Sequence, residues 1–436
     1  MIPVGSNFGP MASHPLLEEL RWRGLLAQHT ETLSDALSRN MMSAYCGFDP
    51  SAPSLHVGNL VPVMGLVHVQ RHGHRPVFLA GGGTGMIGDP SGKSAERPLL
   101  SVEDIAANTA QIRSQLERFV DTRGKNAAIV DNNANWLAPL KAIDFLRDVG
   151  KHFTVNYMMQ KESVKSRLEG GVSYTEFSYM LLQAYDYLRL HELYGVTLQV
   201  GGSDQWGNIT AGIELIRRTK GIESHALTFP LLTTASGVKF GKTEAGAVWL
   251  DPDKTSPYRF YQFWFNTDDR DVGQMLRFFT LLERPNIEAL DRTTKEKPEA
   301  REAQRALARD VTERVHGAPA LQAAEEVSQL LFGKGDPRLL SRDALQLLER
   351  EIPTFELADG KELDSQEVIN AVSGEGEALF KSRGDARRAL EQGGVYLNGE
   401  RLGAERAPVT RDQLLHGRYL LVRKGARTYG LVRVTM

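Results

Sequence analysis

Cysteine is nearly missing from this 436-residue sequence; Cys46 stands alone. One thiol can close no internal disulfide and build no cysteine-rich zinc site, so a disulfide scaffold is excluded. No run of about 18 apolar residues occurs, and the sequence predicts no membrane-spanning helix. Met1–His14 lacks a basic head followed by an apolar core, so no secretory signal is read there. An excess of one charge is missing too. Lys and Arg number 52 and Asp and Glu 54, a net charge of −2. That excludes a uniformly basic nucleic-acid coat but leaves room for a local basic patch. There is no internal repeat and no long low-complexity tract. Hydrophobic residues are 41% and charged residues 24%, an ordinary globular balance. The length suits two or three domains. These features predict a soluble, reduced, cytoplasmic multidomain protein.

The first half alternates β-like runs with helical stretches. Ser43–Phe48, Pro76–Ala80, Ala127–Val130 and Val196–Val200 each end in a turn rich in Gly, Asp or Asn. Between and after them, apolar residues recur three and four apart in Leu60–His72, Val102–Val120, Thr175–Leu193 and Ile209–Thr219. This alternation predicts a parallel sheet covered on both faces, with ligands outside the carboxyl ends of its strands. From Thr255 to Phe332 the pattern is mainly helical. Residues 333–365 mix turns, short helical pieces and charges, and read as a linker. From Lys381 onward the chain carries a net +7, which leaves −9 for the remainder. That asymmetry suggests a small nucleic-acid-binding tail, against the plainer alternative of a solvated charged surface.

Two motifs fail in context. Gly83-Thr84-Gly85-Met86-Ile87-Gly88 fits the dinucleotide fingerprint, but that fingerprint needs a helix to start there. Asp89-Pro90-Ser91-Gly92 breaks any such helix. Gly92-Lys93-Ser94 resembles the end of a P-loop, yet Ile87 occupies the position that must be glycine.

A stronger signal is Tyr45-Cys46-Gly47-Phe48-Asp49-Pro50, followed by His56-Val57-Gly58-Asn59. A strand ends, a turn follows, and a helix should begin near Gly58. His56 and Asn59 would flank its start, where free backbone N–H groups suit a phosphate chain. Gly58 has no side chain, so a flat base could approach closely. Alone, this segment reads equally as a capped helix with a solvent histidine. Lys239-Phe240-Gly241-Lys242-Thr243 lies about 180 residues later. There two lysines bracket a glycine in a loop expected to be mobile, able to meet a triphosphate as its charge shifts; the plainer reading is an exposed basic turn. In Tyr174–Leu193, Tyr179, Gln183 and Asp186 share one helical face among apolar neighbours, as a solvated stripe or a binding wall.

Together these segments resemble the two signatures of class I aminoacyl-tRNA synthetases. The closer resemblance is to the bacterial-type tyrosyl-tRNA synthetases, through Tyr-Cys-Gly-Phe-Asp-Pro, Gly-Asp-Pro-Ser-Gly-Lys at 88–93, Gly-Gly-Ser-Asp-Gln-Trp-Gly-Asn-Ile at 201–209 and Lys-Phe-Gly-Lys-Thr. It spans essentially the whole chain, in the family's order. Asn59 departs from the second signature histidine, and Phe240-Gly241 and Thr243 depart within the second signature.

The resemblance implies the following. The fold is α/β: a Rossmann-like parallel-sheet catalytic domain (1–250), a helical anticodon-side domain (251–355) and a small S4-like α+β RNA-binding domain (365–436). Tyr45 and Asp186 hold the phenol hydroxyl of tyrosine. Asp89, Tyr179 and Gln183 hold its ammonium group, and Gln199 and Gln205 orient it. Cys46, Gly47, Asp49, Gly58 and Asp204 line the ATP or adenylate end, with Cys46 a contact rather than a nucleophile. His56, Asn59, Lys93, Arg97, Lys239, Lys242 and Thr243 meet the phosphates. ATP is a substrate and Mg²⁺ accompanies it, with no dedicated protein metal site. The partners are tRNA(Tyr) and a second copy of the chain. In the tail, Lys381, Arg383, Arg387 and Arg388 face RNA, and Asn398-Gly399 turns between two β-like runs. Two rival readings stay open: a nicotinamide-dependent Rossmann oxidoreductase, and a non-catalytic RNA-binding relative.

Overall fold

The computed structural model describes residues 13–89, 91, 100–165, 171–235, 237, 240–243, 246–358, 363–376 and 378–435. They form two compact units. One comprises residues up to Asp251 with Asp268–Ala303, and the other Pro252–Thr267 with Gln304 onward.

The first unit is built on a six-stranded sheet. Its strands are β1 (Gln28–His29), β2 (Ser43–Phe48), β3 (Arg75–Ala80), β4 (Ile129–Asn132), β5 (Val196–Gly202) and β6 (His225–Phe229), ordered β1-β6-β5-β2-β3-β4. All neighbours are parallel except β1 against β6. β2 and β3 are nearly continuous runs of buried residues, as strands covered on both faces must be. The chain runs outward from β2 through β3 to β4, then returns to β5 on the other side of β2. The switch point therefore lies between β2 and β5, where Tyr45 and Gln199 are register partners.

Four helices of this unit matter below: α1 (Pro15–Arg23), α2 (Leu60–Arg71), α3 (Tyr174–Tyr194) and α4 (Asp269–Phe279). α2 packs so closely on the sheet that a side chain at Gly65 would fall 2.0 Å from the Phe229 ring. α3 is capped by Ser173 at one end and by left-handed Gly195 at the other. α4 packs against α2 and α1. A two-stranded hairpin, β7 (Lys242–Thr243) and β8 (Gly246–Ala247), completes the unit.

In the second unit, a five-stranded sheet contains β9 (Thr354–Ala358), β10 (Val395–Leu397), β11 (Glu400–Arg401), β12 (Tyr419–Lys424) and β13 (Thr428–Thr435), ordered β11-β10-β12-β13-β9. This corrects the linker expectation for 333–365. The stretch holds the helix Arg342–Leu348, four of whose residues are buried, and β9, which runs parallel to β13. Its short, charged pieces gain their burial from partners remote in sequence, so local pattern missed them. Asn398 (φ +47°) and Gly399 (φ +88°) make the two-residue turn between β10 and β11. No helix among the described residues is long and apolar enough to cross a membrane.

Candidate active site

A cavity of about 400 Å³ opens at the switch point, outside the carboxyl ends of β2 and β5. Of the residues expected from sequence, Tyr45, Cys46, Gly47, Asp49, His56, Asn59, Asp89, Tyr179, Gln183, Asp186, Gln199 and Gln205 all line it. Gly58 and Asp204 are not among its lining residues; Asp204 is exposed on the 3-10 turn after β5. Lys93, Arg97 and Lys239 lie outside the described residues, as do the side chains of Lys242 and Thr243. Gly83–Gly88 contains only a 3-10 turn, Thr84–Met86, so the dinucleotide fingerprint lacks its helix.

At one end the groups are buried and polar. Asp186 is 2% exposed. Its carboxylate accepts from Trp136 Nε1 at 2.7 Å and Asn133 Nδ2 at 2.9 Å. Burial pushes its pKa up to about 7, against the pull of those two donors. Tyr45 beside it is 1% exposed, and its hydroxyl has no hydrogen-bond partner among the described residues. The same is true of Gln199 Oε1. A buried hydroxyl left unpaired costs stability, so a polar ligand group that pairs with these atoms suits this end of the cavity.

A second network crosses the floor. Thr84 Oγ1 donates to Asp49 Oδ1 at 2.8 Å, and the Tyr179 hydroxyl donates to Asp49 Oδ2 at 3.0 Å. Gln205 Nε2 donates to Asp89 Oδ2 at 2.7 Å, and Gln183 Nε2 donates to Gln205 Oε1 at 3.2 Å. Burial, reinforced by the nearby Asp49 charge, raises Asp89 to about 6. Two carboxylates in one half-dry space suit a cationic ligand group. Burial also pushes the Cys46 thiol up to about 12, which favours its protonated form.

The two signature segments meet at the cavity mouth. His56 Nδ1 accepts from Gly58 N at 3.0 Å, and Asn59 Oδ1 accepts from His56 N at 3.0 Å. This reciprocal cap starts the 3-10 turn Val57–Asn59 that leads into α2, and with Nδ1 accepting, a neutral His56 carries its proton on Nε2. It also revises the reason for Gly58: a Cβ there would lie 2.8 Å from the His56 ring itself. The strand-like segment after the second signature pairs with the first. Val57 N donates to Val248 O at 2.9 Å, Leu250 N donates to Leu55 O at 2.8 Å, and His56 bridges Trp249.

These features match known proteins. The family profile of class I tRNA synthetases (W and Y) covers residues 37–333, and that of the tyrosine–tRNA ligase SYY-like C-terminal domain covers 344–432. The chain belongs to the class I tRNA synthetases. A tyrosine–tRNA ligase of Roseiflexus castenholzii is 54% identical, over 96% of this chain and 99% of that protein. One from Anaeromyxobacter dehalogenans is also 54% identical, with the same coverage. The crystal structure of a C-terminally truncated mitochondrial tyrosyl-tRNA synthetase from Aspergillus nidulans superposes with a TM-score of 0.66. It is 31% identical and covers 74% of this chain and 95% of that one.

Sequence reasoning missed four cavity-side residues of this synthetase. Asn133 and Trp136 orient Asp186, Asn208 Nδ2 donates to Gln183 Oε1 at 3.1 Å, and Trp249 forms the wall beside His56. Asn133 follows a β-run that ends at the ligand side of the sheet, and that signal was present. Trp136 and Trp249 carry no local signal. Among the described residues no group of three His, Cys, Asp or Glu side chains could hold a metal ion. Lys381, Arg383, Arg387 and Arg388 are exposed around the helix Arg383–Glu391 of the tail.

Proposed function

We infer that this synthetase is a tyrosine–tRNA ligase. It activates L-tyrosine with ATP to tyrosyl-adenylate and pyrophosphate, then transfers tyrosine to the 3′-terminal ribose of tRNA(Tyr). The observation that carries the tyrosine assignment is the unpaired Tyr45 hydroxyl buried beside the doubly anchored Asp186 carboxylate. A phenol hydroxyl placed there donates to Asp186 and accepts from Tyr45, which removes the unmatched group.

The other roles are those the family resemblance implies. Asp89, Tyr179 and Gln183 take the ammonium group, and Gln199 and Gln205 orient the amino acid. The ionised tyrosine carboxylate is itself the nucleophile toward the α-phosphorus, so no general base is required. Catalysis is positioning with stabilisation of developing charge on the pyrophosphate. His56 and Asn59 sit at the helix start where that charge develops, and Lys93, Arg97, Lys239, Lys242 and Thr243 supply the cationic and hydroxyl contacts. Cys46, Gly47, Asp49, Gly58 and Asp204 flank the adenylate, and Mg²⁺ enters as the nucleotide's counter-ion. In the tail, Lys381, Arg383, Arg387 and Arg388 meet RNA phosphates. The domain limits 1–250, 251–355 and 365–436 and a cytoplasmic location belong to the same reading.

A homodimer is also part of it. Ile143, Leu146, Val155, Met159 and Tyr174 lie on consecutive short helices and the start of α3, between 42% and 74% exposed. Large apolar side chains so exposed suit a subunit interface.

The test is ATP–pyrophosphate exchange with each amino acid in turn. Exchange supported by tyrosine alone is expected. Exchange with tryptophan but not tyrosine would overturn the substrate, and none with any amino acid would overturn the activity.

A further inference from the structure

The backbone around the second signature is held from outside the cavity. Leu232 O accepts from Phe240 N at 3.1 Å and closes the segment at its base. On the incoming limb, Ala235 N donates to both carboxylate oxygens of Asp271, at 2.9 and 3.2 Å. On the outgoing limb, the Phe240 ring stacks on Phe279, with centroids 5.2 Å apart and planes at 20°. Asp271 and Phe279 are both buried, and both belong to α4. Eight residues apart, they are separated by roughly 12 Å of helix. α4 also packs on α2, which continues directly from the 3-10 turn that carries His56, Gly58 and Asn59. One helix therefore gives both signatures a common reference. The fit between them is tight: a Cβ at Gly241 would lie 2.8 Å from Val57 Cγ2 and 3.3 Å from Gly58 N.

We propose that Asp271 and Phe279 are positioning residues for adenylate formation, setting where the second-signature backbone at Phe240–Thr243 stands relative to the first signature. Neither side chain lines the cavity, so both act through the segment they hold. The proposal rests on the reading that Lys242 serves the phosphates. Misplacing a reacting or stabilising group by a fraction of an ångström is enough to slow a step that depends on orientation.

The test is a double-mutant cycle on single-turnover adenylate formation, with Asp271→Asn, Lys242→Ala and the pair together. Asp271→Asn keeps the shape of the side chain and removes its charge. Alone it should slow the step about tenfold, while tyrosine affinity stays unchanged. With Lys242→Ala already present it should cost little more, because its effect passes through that lysine. Phe279→Leu should behave in the same way and carries the cycle if Asp271→Asn fails to fold. Trypsin should also cut faster after Lys239 and Lys242 in either anchor variant. A rate unchanged by both anchors, or losses that multiply fully with Lys242→Ala, would overturn the proposal. If Lys242→Ala alone left the rate intact, the underlying reading would fall instead.

Discussion

Asp186 is costly to bury, and the structure shows what the cost secures. Two donors, Asn133 and Trp136, are aimed at its two oxygens. They define it as an acceptor, yet desolvation still lifts its pKa to about 7 in the ligand-free chain. The sign follows from linkage. A carboxyl raised above its unfolded value favours the folded state while protonated, so its contribution falls as pH rises from about 4 to about 7. The slope is about 1.4 kcal/mol per pH unit over that window. A phenol donor favours the ionised form and reverses the penalty. The affinity ratio of tyrosine to phenylalanine should therefore climb as pH rises toward 7, by at most about tenfold per unit. Asp89, raised to about 6, titrates in the same region. In the proposed role it faces the ammonium group of both ligands and cancels in the ratio. Binding titrations from pH 5.5 to 8.5 would check this, and a flat ratio would contradict it.

The strands and helices that carry the cavity were legible because each has a local signature. β2 begins and ends where its apolar run does, and α3 extends its predicted span by one residue at each end. What could not be read was contact between elements. Trp136 reaches Asp186 across 50 positions, and the pairing of 248–250 with 55–57 spans nearly 200. Neither leaves a periodic trace. β9 was hidden for the same reason, since only β13, more than 70 residues later, makes it a strand. At this scale Gly241 is a sharp probe. Its φ of +82° disfavours any side chain, and an added Cβ would press on Val57 at 2.8 Å. Gly241→Ala should slow adenylate formation about tenfold or more with tyrosine affinity intact. Stopped-flow measurement of the step at saturating ATP would check this, and an unchanged rate would show that the two signatures need no such fit.

At the scale of the whole molecule, the cavity and the basic tail belong to different units. Among the described residues, every one that lines the cavity belongs to the first unit. The tail instead has its own apolar core, including Val368, Phe380, Val395, Leu420 and Val432. A chain ending at Ile352 removes the whole five-stranded sheet, β9 included, and keeps the buried helix Arg342–Leu348. It should retain tyrosine-dependent pyrophosphate exchange and lose most tRNA charging, together with the salt dependence that phosphate contacts impose. Charging at the full-length rate would show that the basic tail does not serve the RNA.

The central claim is that the buried end of this cavity reads a phenol hydroxyl through Asp186. The most direct measurement is kcat/KM for adenylate formation with tyrosine and with phenylalanine, in the wild-type chain and in Asp186→Ala. Removing the acceptor should reduce the preference for tyrosine by roughly 1–3 kcal/mol, chiefly through a loss with tyrosine. An unchanged preference in a folded variant would contradict the account.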